Sequence, residues 1–401
     1  MDIFYIAGIS LSFFLGITLL GKRNNSLPDR ILALWLFVIG FHLYLFYAFI
    51  AGKIFNYPWL LGVHFPLPLL HGPFLYLYAL ALTGKLEKPE MKYGLHFIPA
   101  ILSYLYLTSF FILPSSEKIE VFRNKGAGYE TFLLINNSAI MISGISYVVL
   151  TALLQRRHRR NIMNEFSNTE KINLDWILYL VYGIALIWVF VILSKDDLIF
   201  GTAVLFVMFI GYFGIRQVGI FTPGNNTQQI QEEIQETIPH DEAEKMKDER
   251  TPDHPENPAS ILETNFESVH VRKKYLKSGL SPEAAAELHT RLIQLINNEK
   301  VFCNSELTLS ELARKLGTHP NYLSQVINEK EGKNFFDYIN TLRTEEFKKL
   351  IANPGNRKFT LLSLAFECGF NSKSSFNKYF KKVTGQSPSE YLHQMNVEVA
   401  A

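Results

Sequence analysis

Long apolar runs separated by short polar connections fill the first half of the chain. Seven of these runs approach the roughly 20 residues that a helix needs to cross a bilayer, and they lie near 3–20, 31–52, 57–84, 94–113, 131–154, 174–194 and 198–215. Asp175 is the only Asp, Glu, Lys or Arg inside them. Because hydrocarbon offers no water to backbone polar groups, the pattern predicts seven transmembrane helices. Pro66, Pro68 and Pro73 should kink or break the third.

Basic residues in the connections predict the orientation of these helices. With the N-terminus outside, the cytoplasmic connections hold 12 Lys or Arg residues and the external ones hold five. The odd number of spans then places the rest of the chain in the cytoplasm. We therefore expect a multi-pass protein of the inner (cytoplasmic) membrane, in contact with membrane lipid.

Composition divides the chain in the same place. Residues 1–215 carry 28 Asp, Glu, Lys or Arg residues, and residues 216–401 carry 48. This split excludes a single soluble globular domain and a protein that lies wholly within the bilayer. The chain has only two cysteines, Cys303 and Cys368, which excludes a disulfide scaffold.

An acidic stretch connects the two parts. From Glu232 to Glu256 there are ten acidic and three basic residues, with prolines interspersed. This composition is typical of a flexible tether. Ile230, Ile234 and Ile238 recur every four residues and could form one short amphipathic helix. Pairing of this helix with its copy is the feature by which the chain could form a homodimer. The predicted boundaries are a seven-helix sensor domain over 1–218, a linker over 219–282 and a helical domain over 283–395.

The helical domain contains a first helix-turn-helix pattern at 307–328. Ser310 is expected to cap its first helix, Gly317 to make the turn and Pro320 to begin the second helix. The apolar positions expected in the core are Leu312, Ala313, Leu316, Leu323, Val326 and Ile327. The residues left facing outward are His319, Asn321, Tyr322 and Gln325.

A second helix-turn-helix pattern follows at 359–385, after a predicted connecting helix over 335–351. Thr360 is the expected cap and Gly369 the turn. The apolar positions expected to face inward are Leu364, Ala365, Cys368, Phe376 and Phe380. The residues left for a partner are Ser372, Lys373, Ser374, Asn377 and Lys378.

The stretch GFNSKSSFNKYFKKVTGQSPSEYL (369–392) resembles the signature of AraC-type transcription regulators. The positions that match the family pattern are Gly369, Phe370, Ser372, Phe376, Phe380, Lys381, Gly385, Pro388 and Tyr391. The resemblance covers roughly 285–393 and implies an AraC-type domain that binds double-stranded DNA with both motifs. HGPFLYLYALALTGK (71–85), LHFIPAIL (95–102) and RRHRRNIMNEFSNTEKINLDW (156–176) are similar to segments of seven-span AraC-type regulators common in Bacteroidetes, a resemblance that brings no ligand or chemistry.

Charge and side-chain chemistry agree with a DNA partner. Residues 285–395 hold 15 Lys or Arg and 11 Asp or Glu residues, a net charge of +4. Arg357 and Lys358 precede the second motif, and Lys381 and Lys382 end its second helix, where phosphates would lie. Asn and Gln pair with adenine edges, and Lys favours guanine. Two motifs joined by a rigid helix would read successive major grooves about 34 Å apart.

Four histidines lie in or beside the apolar runs: His42, His64, His71 and His96. They could bind a metal, sense a small molecule or a proton, or simply form hydrogen bonds between helices, and packing is the favoured interpretation. The basic run Arg156–Arg160 is explained by topology, with anionic lipid as the alternative. No sequence feature supports a contact between that loop and the C-terminal domain.

The sequence thus predicts an all-α protein, a membrane-anchored transcription regulator and not an enzyme, with no cofactor or metal. Scattered single glycines after Arg216 argue against a kinase nucleotide lid, and the last run lacks a lysine for a retinal Schiff base. A transporter would be expected to show paired intramembrane acids. The alternative is a seven-span receptor or transporter that relays to a protein partner through its helical domain. An unidentified small signal molecule stays open as a partner.

Overall fold

The computed structural model describes residues 2–23, 25–86, 88, 90–169, 174, 176–193, 196–216 and 280–400. The chain divides into two compact units. Unit 1 comprises Met1–Arg156 and Asp175–Pro255, and unit 2 comprises Arg157–Leu174 and Glu256–Ala401. Within the described ranges the secondary structure is helical, apart from one isolated antiparallel bridge between Phe166 and Thr308. The predicted all-α class is therefore confirmed for these residues.

Unit 1 is built from helices, most of them apolar. They are α1 (Asp2–Leu20), α2 (Leu27–Ile50), α3 (Pro68–Leu82), α4 (Met91–Gly94), α5 (Ile98–Tyr106), α6 (Thr108–Ile112), α7 (Ser115–Arg123), α8 (Glu130–Glu165), α9 (Trp176–Ile192) and α10 (Asp196–Arg216). The last residues of α8, from Arg157, belong to unit 2. A capping box between Ser26 and Asp29 begins α2, where each side chain bonds the backbone N–H of the other.

The number of long apolar helices is smaller than the sequence predicts. Among the described residues, α1, α2 and α8 are long and apolar enough to cross a membrane, while α3, α9 and Leu198–Tyr212 of α10 are apolar but shorter. The run at 57–84 does break near Pro66 and Pro68, since α3 begins only at Pro68, whereas Pro73 lies inside α3 and does not end it. The run at 94–113 was predicted as one helix, but Leu107, with φ −72° and ψ −2°, separates α5 from α6. Seven spans are thus not shown.

Unit 2 contains seven further helices in the part of the chain that is described. They are α11 (Pro282–Glu299), α12 (Leu309–Lys315), α13 (Pro320–Glu331), α14 (Phe335–Ala352), α15 (Leu361–Glu367), α16 (Lys373–Thr384) and α17 (Pro388–Ala400). The helix predicted over 335–351 is α14, and Asn353-Pro354-Gly355 follows its end. The linker prediction over 219–282, including Ile230, Ile234 and Ile238, lies almost entirely outside the described residues.

Two separate cores hold unit 2 together, one under each helix-turn-helix motif. The first is mostly aliphatic and is formed by α11–α13 and the start of α14, with Leu292, Leu312, Leu323 and Val326 each at 0% exposure. The second is mostly aromatic and packs α15 and α16 on the end of α14. Since α14 contributes to both cores, it connects the two motifs as a shared helix.

Candidate DNA-binding surface

The first motif forms from α12 and α13 around the turn at Gly317. Gly317 has φ +61°, a left-handed conformation that glycine adopts without strain. His319 caps α13 by accepting the N–H of Asn321 at 3.2 Å, and Pro320 follows at the first helical position, as predicted. The core positions predicted for this motif are all buried.

The N-cap predicted for α12 was wrong by two residues. Thr308, not Ser310, is its N-cap, and the Thr308 hydroxyl accepts the N–H of Glu311 at 3.1 Å. Both residues can cap a helix, but Leu309 already has helical geometry, so Ser310 lies inside the first turn. Its N–H and Oγ instead donate to the carboxylate of Glu165, at 3.2 and 2.6 Å.

The outward face predicted for α13 is narrower in the structure. His319 and Asn321 are exposed, whereas Tyr322 is half-buried against the aliphatic core. Gln325 was predicted to face outward, but its exposure is only 6%, and its Nε2 donates to Glu329 at 3.1 Å. The reason is that α13 packs against α11, α12 and α14, so three neighbours cover more of it than its own apolar stripe indicates.

The turn of the second motif is more tightly constrained. Gly369 has φ +94°, and a Cβ built there would lie 2.7 Å from the backbone oxygen of Phe302 and 2.8 Å from that of Cys303. Any side chain would therefore meet rigid backbone as well as unfavourable φ. Thr360 caps α15 by accepting the N–H of Ser363 at 3.1 Å, as predicted. Leu364, Ala365 and Cys368 are buried, as predicted.

The second helix of that motif, α16, presents the largest predicted contact surface. Ser372 is its N-cap and accepts the N–H of Ser375 at 3.0 Å. Phe376 and Phe380 are buried at 2% and 0% exposure. The opposite face carries exposed polar side chains, which are Lys373, Ser374, Asn377, Lys378, Lys381 and Lys382. Arg357 and Lys358, just before the motif, are exposed as well.

One lysine of this surface already has a partner. Lys382 Nζ lies 2.6 Å from the carboxylate of Asp337 on α14. Tyr379, which the sequence pattern did not single out, donates its hydroxyl to the Asp337 carbonyl at 2.7 Å. Burial raises the pKa of Tyr379, so the phenol stays protonated and keeps this bond. These contacts join the C-terminal end of α16 to α14.

Chemically, the exposed face of α16 combines amide, hydroxyl and ammonium groups on a rigid helix. Amide and ammonium side chains at consecutive turns can bond base edges in a major groove, and lysines at the helix end can bond phosphates. The described residues contain no group of three or more His, Cys, Asp or Glu side chains placed to hold a metal ion.

A cavity in unit 1 gathers three of the histidines that the sequence singled out. Its volume is about 340 Å³, and most of its lining is apolar or aromatic. The polar lining residues are His42, His64, His71 and Asn137. The fourth histidine, His96, does not line the cavity and bonds the hydroxyl of Tyr147 at 2.8 Å.

Hydrogen bonds fix the proton positions on two of these rings. The indole of Trp35 can only donate, and it lies 3.3 Å from His71 Nδ1, which therefore accepts. The proton of His71 is then on Nε2, which donates to His42 Nδ1 at 3.1 Å. It follows that His42 carries its own proton on Nε2. The Trp35–His71–His42 chain explains both ring orientations as contacts between helices.

Taken together, unit 2 is an all-α domain with two helix-turn-helix motifs on one connecting helix. Comparison with known proteins gives the same class, since residues 312–394 match the family described as "Helix-turn-helix domain". The match begins inside α12 and ends in α17, so it includes most of the first motif and all of the second. The AraC-type resemblance is thereby supported for the C-terminal domain.

Named relatives are similar to about a third or a quarter of this chain. The uncharacterized HTH-type transcriptional regulator YobQ of Bacillus subtilis (strain 168) is 31% identical over 131 residues, 32% of this chain and 48% of its own length. The regulator YtdP of the same strain is 31% identical over 103 residues, 26% of this chain and 13% of its own. A regulator of Staphylococcus aureus (strain COL) is 27% identical over 144 residues, 31% of this chain and 19% of its own.

The chain thus covers less than half of each of these relatives, all of which are named HTH-type transcriptional regulators. No solved structure matches the chain significantly.

Proposed function

We propose that this protein is a membrane-anchored, sequence-specific DNA-binding transcription regulator. The observation that carries the proposal is the exposed polar face of α16 beside two complete helix-turn-helix motifs, in a segment that matches the helix-turn-helix family. In this proposal, 1–218 is the membrane sensor domain, 219–282 the linker and 283–395 the DNA-binding domain. The partner is double-stranded DNA.

Each exposed residue has a proposed role in that interface. Asn377 and Lys378 contact base edges, since they lie in the middle of α16 with their side chains free of the core. Phosphate contacts come from basic groups at the helix end and before the motif. The remaining contacts come from the first turns of α16 and α13, and the full proposed set is His319, Asn321, Tyr322, Arg357, Lys358, Ser372, Lys373, Ser374, Asn377, Lys378, Lys381 and Lys382. Gln325 is left out because its side chain is buried.

Anchoring in the inner membrane is supported by the apolar helices of unit 1. Three of them are long enough to cross a bilayer, and many of their large apolar side chains are exposed, among them Phe14, Ile17 and Ile142 at 64%, 63% and 68%. In water these side chains would be unfavourable, whereas lipid covers them. The excess of basic residues in the cytoplasmic connections supports an outside N-terminus.

The cavity of unit 1 is the place where a signal would act on this regulator. Its volume suits a small molecule, and its few polar groups among apolar walls are typical of ligand sites. In the proposal, a small signal molecule changes the packing of the membrane helices and thereby the activity of the DNA-binding domain.

The proposal is tested by chromatin immunoprecipitation with sequencing of the full-length tagged protein, together with fractionation of the same cells. Discrete peaks upstream of genes, with the protein in the membrane pellet, are the expected result. Membrane-bound protein without peaks under several growth conditions would favour relay to a protein partner. Peaks with the protein in the soluble fraction would contradict anchoring but leave the DNA-binding proposal intact.

A further inference from the structure

A short stretch of the chain far from the DNA-binding domain in sequence is packed into it. Unit 2 includes Arg157–Leu174, the end of α8 and the residues after it. Within this stretch, Glu165, Phe166 and Ser167 contact residues 307–310 and 340–343. We name Glu165–Ser167 the docking segment. More than 130 residues separate it from its partners along the chain.

Ser167 is the centre of the contact, with an exposure of 1%. Its N–H and Oγ both donate to the Leu307 carbonyl, at 3.2 and 2.6 Å. Its carbonyl accepts from Asn340 Nδ2 at 3.0 Å and from Arg343 Nη1 at 3.3 Å, and its Oγ also accepts from Arg343 Nη2 at 3.1 Å. The domain therefore bonds both the backbone and the side chain of this serine, which is typical of a specific binding site.

The buried side chain of Arg343 needs hydrogen-bond acceptors that the docking segment supplies. Its guanidinium is 1% exposed, and its other partners are the carbonyls of Phe302 and Asn304 and the amide oxygen of Asn340. Burial lowers the pKa of Arg343 to about 10, so it remains charged at neutral pH. A buried guanidinium is costly unless all its N–H groups are bonded. Among the described residues, Ser167 supplies two of the acceptors for these N–H groups, its carbonyl and its Oγ.

Two neighbouring residues extend the contact. Phe166 pairs with Thr308 in an antiparallel bridge. Glu165 accepts both the N–H and the Oγ of Ser310, and burial raises the pKa of its carboxyl group while these bonds oppose the shift. The hydrogen bonds that hold the segment come from Leu307, two residues before α12, from the start of α12 and from the middle of α14. The proposed base-contacting residues of α16 lie elsewhere.

We propose that Glu165–Ser167 is a docking site for the DNA-binding domain on the cytoplasmic end of α8, which holds the first helix-turn-helix motif directly as well as through the linker. This inference rests on the proposed membrane anchoring. The contact positions the domain, and it leaves the exposed face of α16 available for DNA. A change in α8 then reaches the first motif through these three consecutive residues as well as through the linker.

Cysteine cross-linking of the full-length protein in its own membranes tests the contact. Directly paired antiparallel residues have Cβ atoms about 4.5–5.5 Å apart, close enough for a disulfide after a small adjustment. We would combine Phe166→Cys with Thr308→Cys and place a protease site in the linker between residues 240 and 250. The control pair is Phe166→Cys with Lys330→Cys, at an exposed position of α13. The single variants control for Cys303 and Cys368.

The expected result after mild oxidation and cleavage is a band of full-length size on a non-reducing gel, converted to two fragments by reductant. The control pair and the single variants should give two fragments throughout. Two fragments from the Phe166→Cys/Thr308→Cys protein, or a covalent dimer of two chains, would overturn the proposal. The location of the uncut protein tests membrane anchoring separately, because the gel reports the contact whether or not the protein is in the pellet.

A second variant shows whether the observed hydrogen bonds hold the segment. Glu165→Ala with Ser167→Ala, added to the cysteine pair, should slow cross-linking at least about tenfold, since bonds to charged groups are lost. Arg160→Ala, at an exposed position of α8, is the matched control and should leave the rate unchanged. Equal rates in all three proteins would mean that Phe166 meets Thr308 by chance collision, which contradicts docking. Arg343 itself is not varied, because it also bonds Phe302 and Asn304 and its loss would unfold the domain.

Discussion

The two helix-turn-helix motifs share one plan but differ in how tightly that plan is fixed. Both have a threonine cap on the first helix and a glycine turn, yet a Cβ at Gly317 would meet nothing closer than 3.9 Å, whereas one at Gly369 would meet backbone at 2.7 Å. The first core is mostly aliphatic, and the second is a cluster of aromatic rings around Phe380. The second motif therefore has less freedom to adjust, and it also presents the larger polar face.

The two motifs need not have the same function, because they expose different numbers of polar residues. The first motif has Gln325 buried, Tyr322 half-buried and its first helix in contact with the docking segment. The second has six exposed polar residues on α16. We expect the second motif to supply most of the base discrimination, and the first to position the domain.

The largest effect should come from opening the aromatic core. Phe380 has 0% exposure, and its ring lies 5.4 to 5.7 Å from those of Tyr391, Phe347 and Phe376. Phe380→Ala should lower the free energy of unfolding of the C-terminal domain by about 3–5 kcal/mol, measured by urea denaturation. Ile327→Val in the aliphatic core is the mild counterpart, at about 0.5–1.5 kcal/mol. Similar losses for both would remove the contrast between the cores.

The two turn glycines give the sharpest comparison. Gly317→Ala meets only the left-handed backbone penalty, about 1–2 kcal/mol. Gly369→Ala adds a clash with the carbonyls of Phe302 and Cys303, so we expect about 3 kcal/mol or more in the same denaturation experiment. If the two substitutions cost the same, the turn of the second motif is able to shift away from the Phe302–Cys303 loop.

Substitutions in the two motifs should have different effects on sequence-specific DNA binding. Asn377→Ala and Lys378→Ala should each weaken binding to a specific site by about 1–3 kcal/mol, with little change on scrambled DNA. Gln325→Ala should leave that discrimination unchanged, because the side chain is buried. Titration of labelled specific and scrambled duplexes measures both. An equal loss on both duplexes for Asn377→Ala would remove its base-contact assignment.

Two lysines at the end of α16 should give the smallest effects and differ from each other. Lys381→Ala should weaken binding to all sequences alike and reduce the slope of log affinity against log salt by about 1. Lys382 is bonded to Asp337, so Lys382→Ala should change the slope less and cost up to about 1 kcal/mol in stability. Reversed salt slopes for the two variants would indicate that the Lys382–Asp337 pair opens on DNA.

Local pattern was sufficient for most of unit 2. The cap at Thr360, the helix start at Pro320, both turn glycines and every core position named for the two motifs follow from short-range spacing. The failures have long-range causes. Gln325 is buried by three neighbouring helices, and the Thr308 cap displaces Ser310 toward Glu165, a residue 145 positions away. Neither partner is visible in a window of 20 residues.

The docking segment lies furthest from what the sequence shows. One clue was present, since Asn340 and Arg343 are two polar residues three positions apart on the buried side of a core helix. Such a pair indicates a bonded partner, but it does not name Ser167. In unit 1, hydropathy gave the existence of the apolar helices, whereas the break at Leu107 depends on backbone geometry that composition does not determine.

The length of α8 has a consequence of its own. As a single helix of 36 residues it measures about 54 Å, well beyond the roughly 30 Å of a hydrocarbon core. An α-helix turns by about 100° and rises by about 1.5 Å per residue, so one residue inserted before Glu165 shifts the helix face on which Glu165 lies by that angle. Insertions of seven residues nearly restore the angle, whereas insertions of two reverse it. Only insertions close to a whole number of helical turns therefore keep Glu165 on the same face of α8.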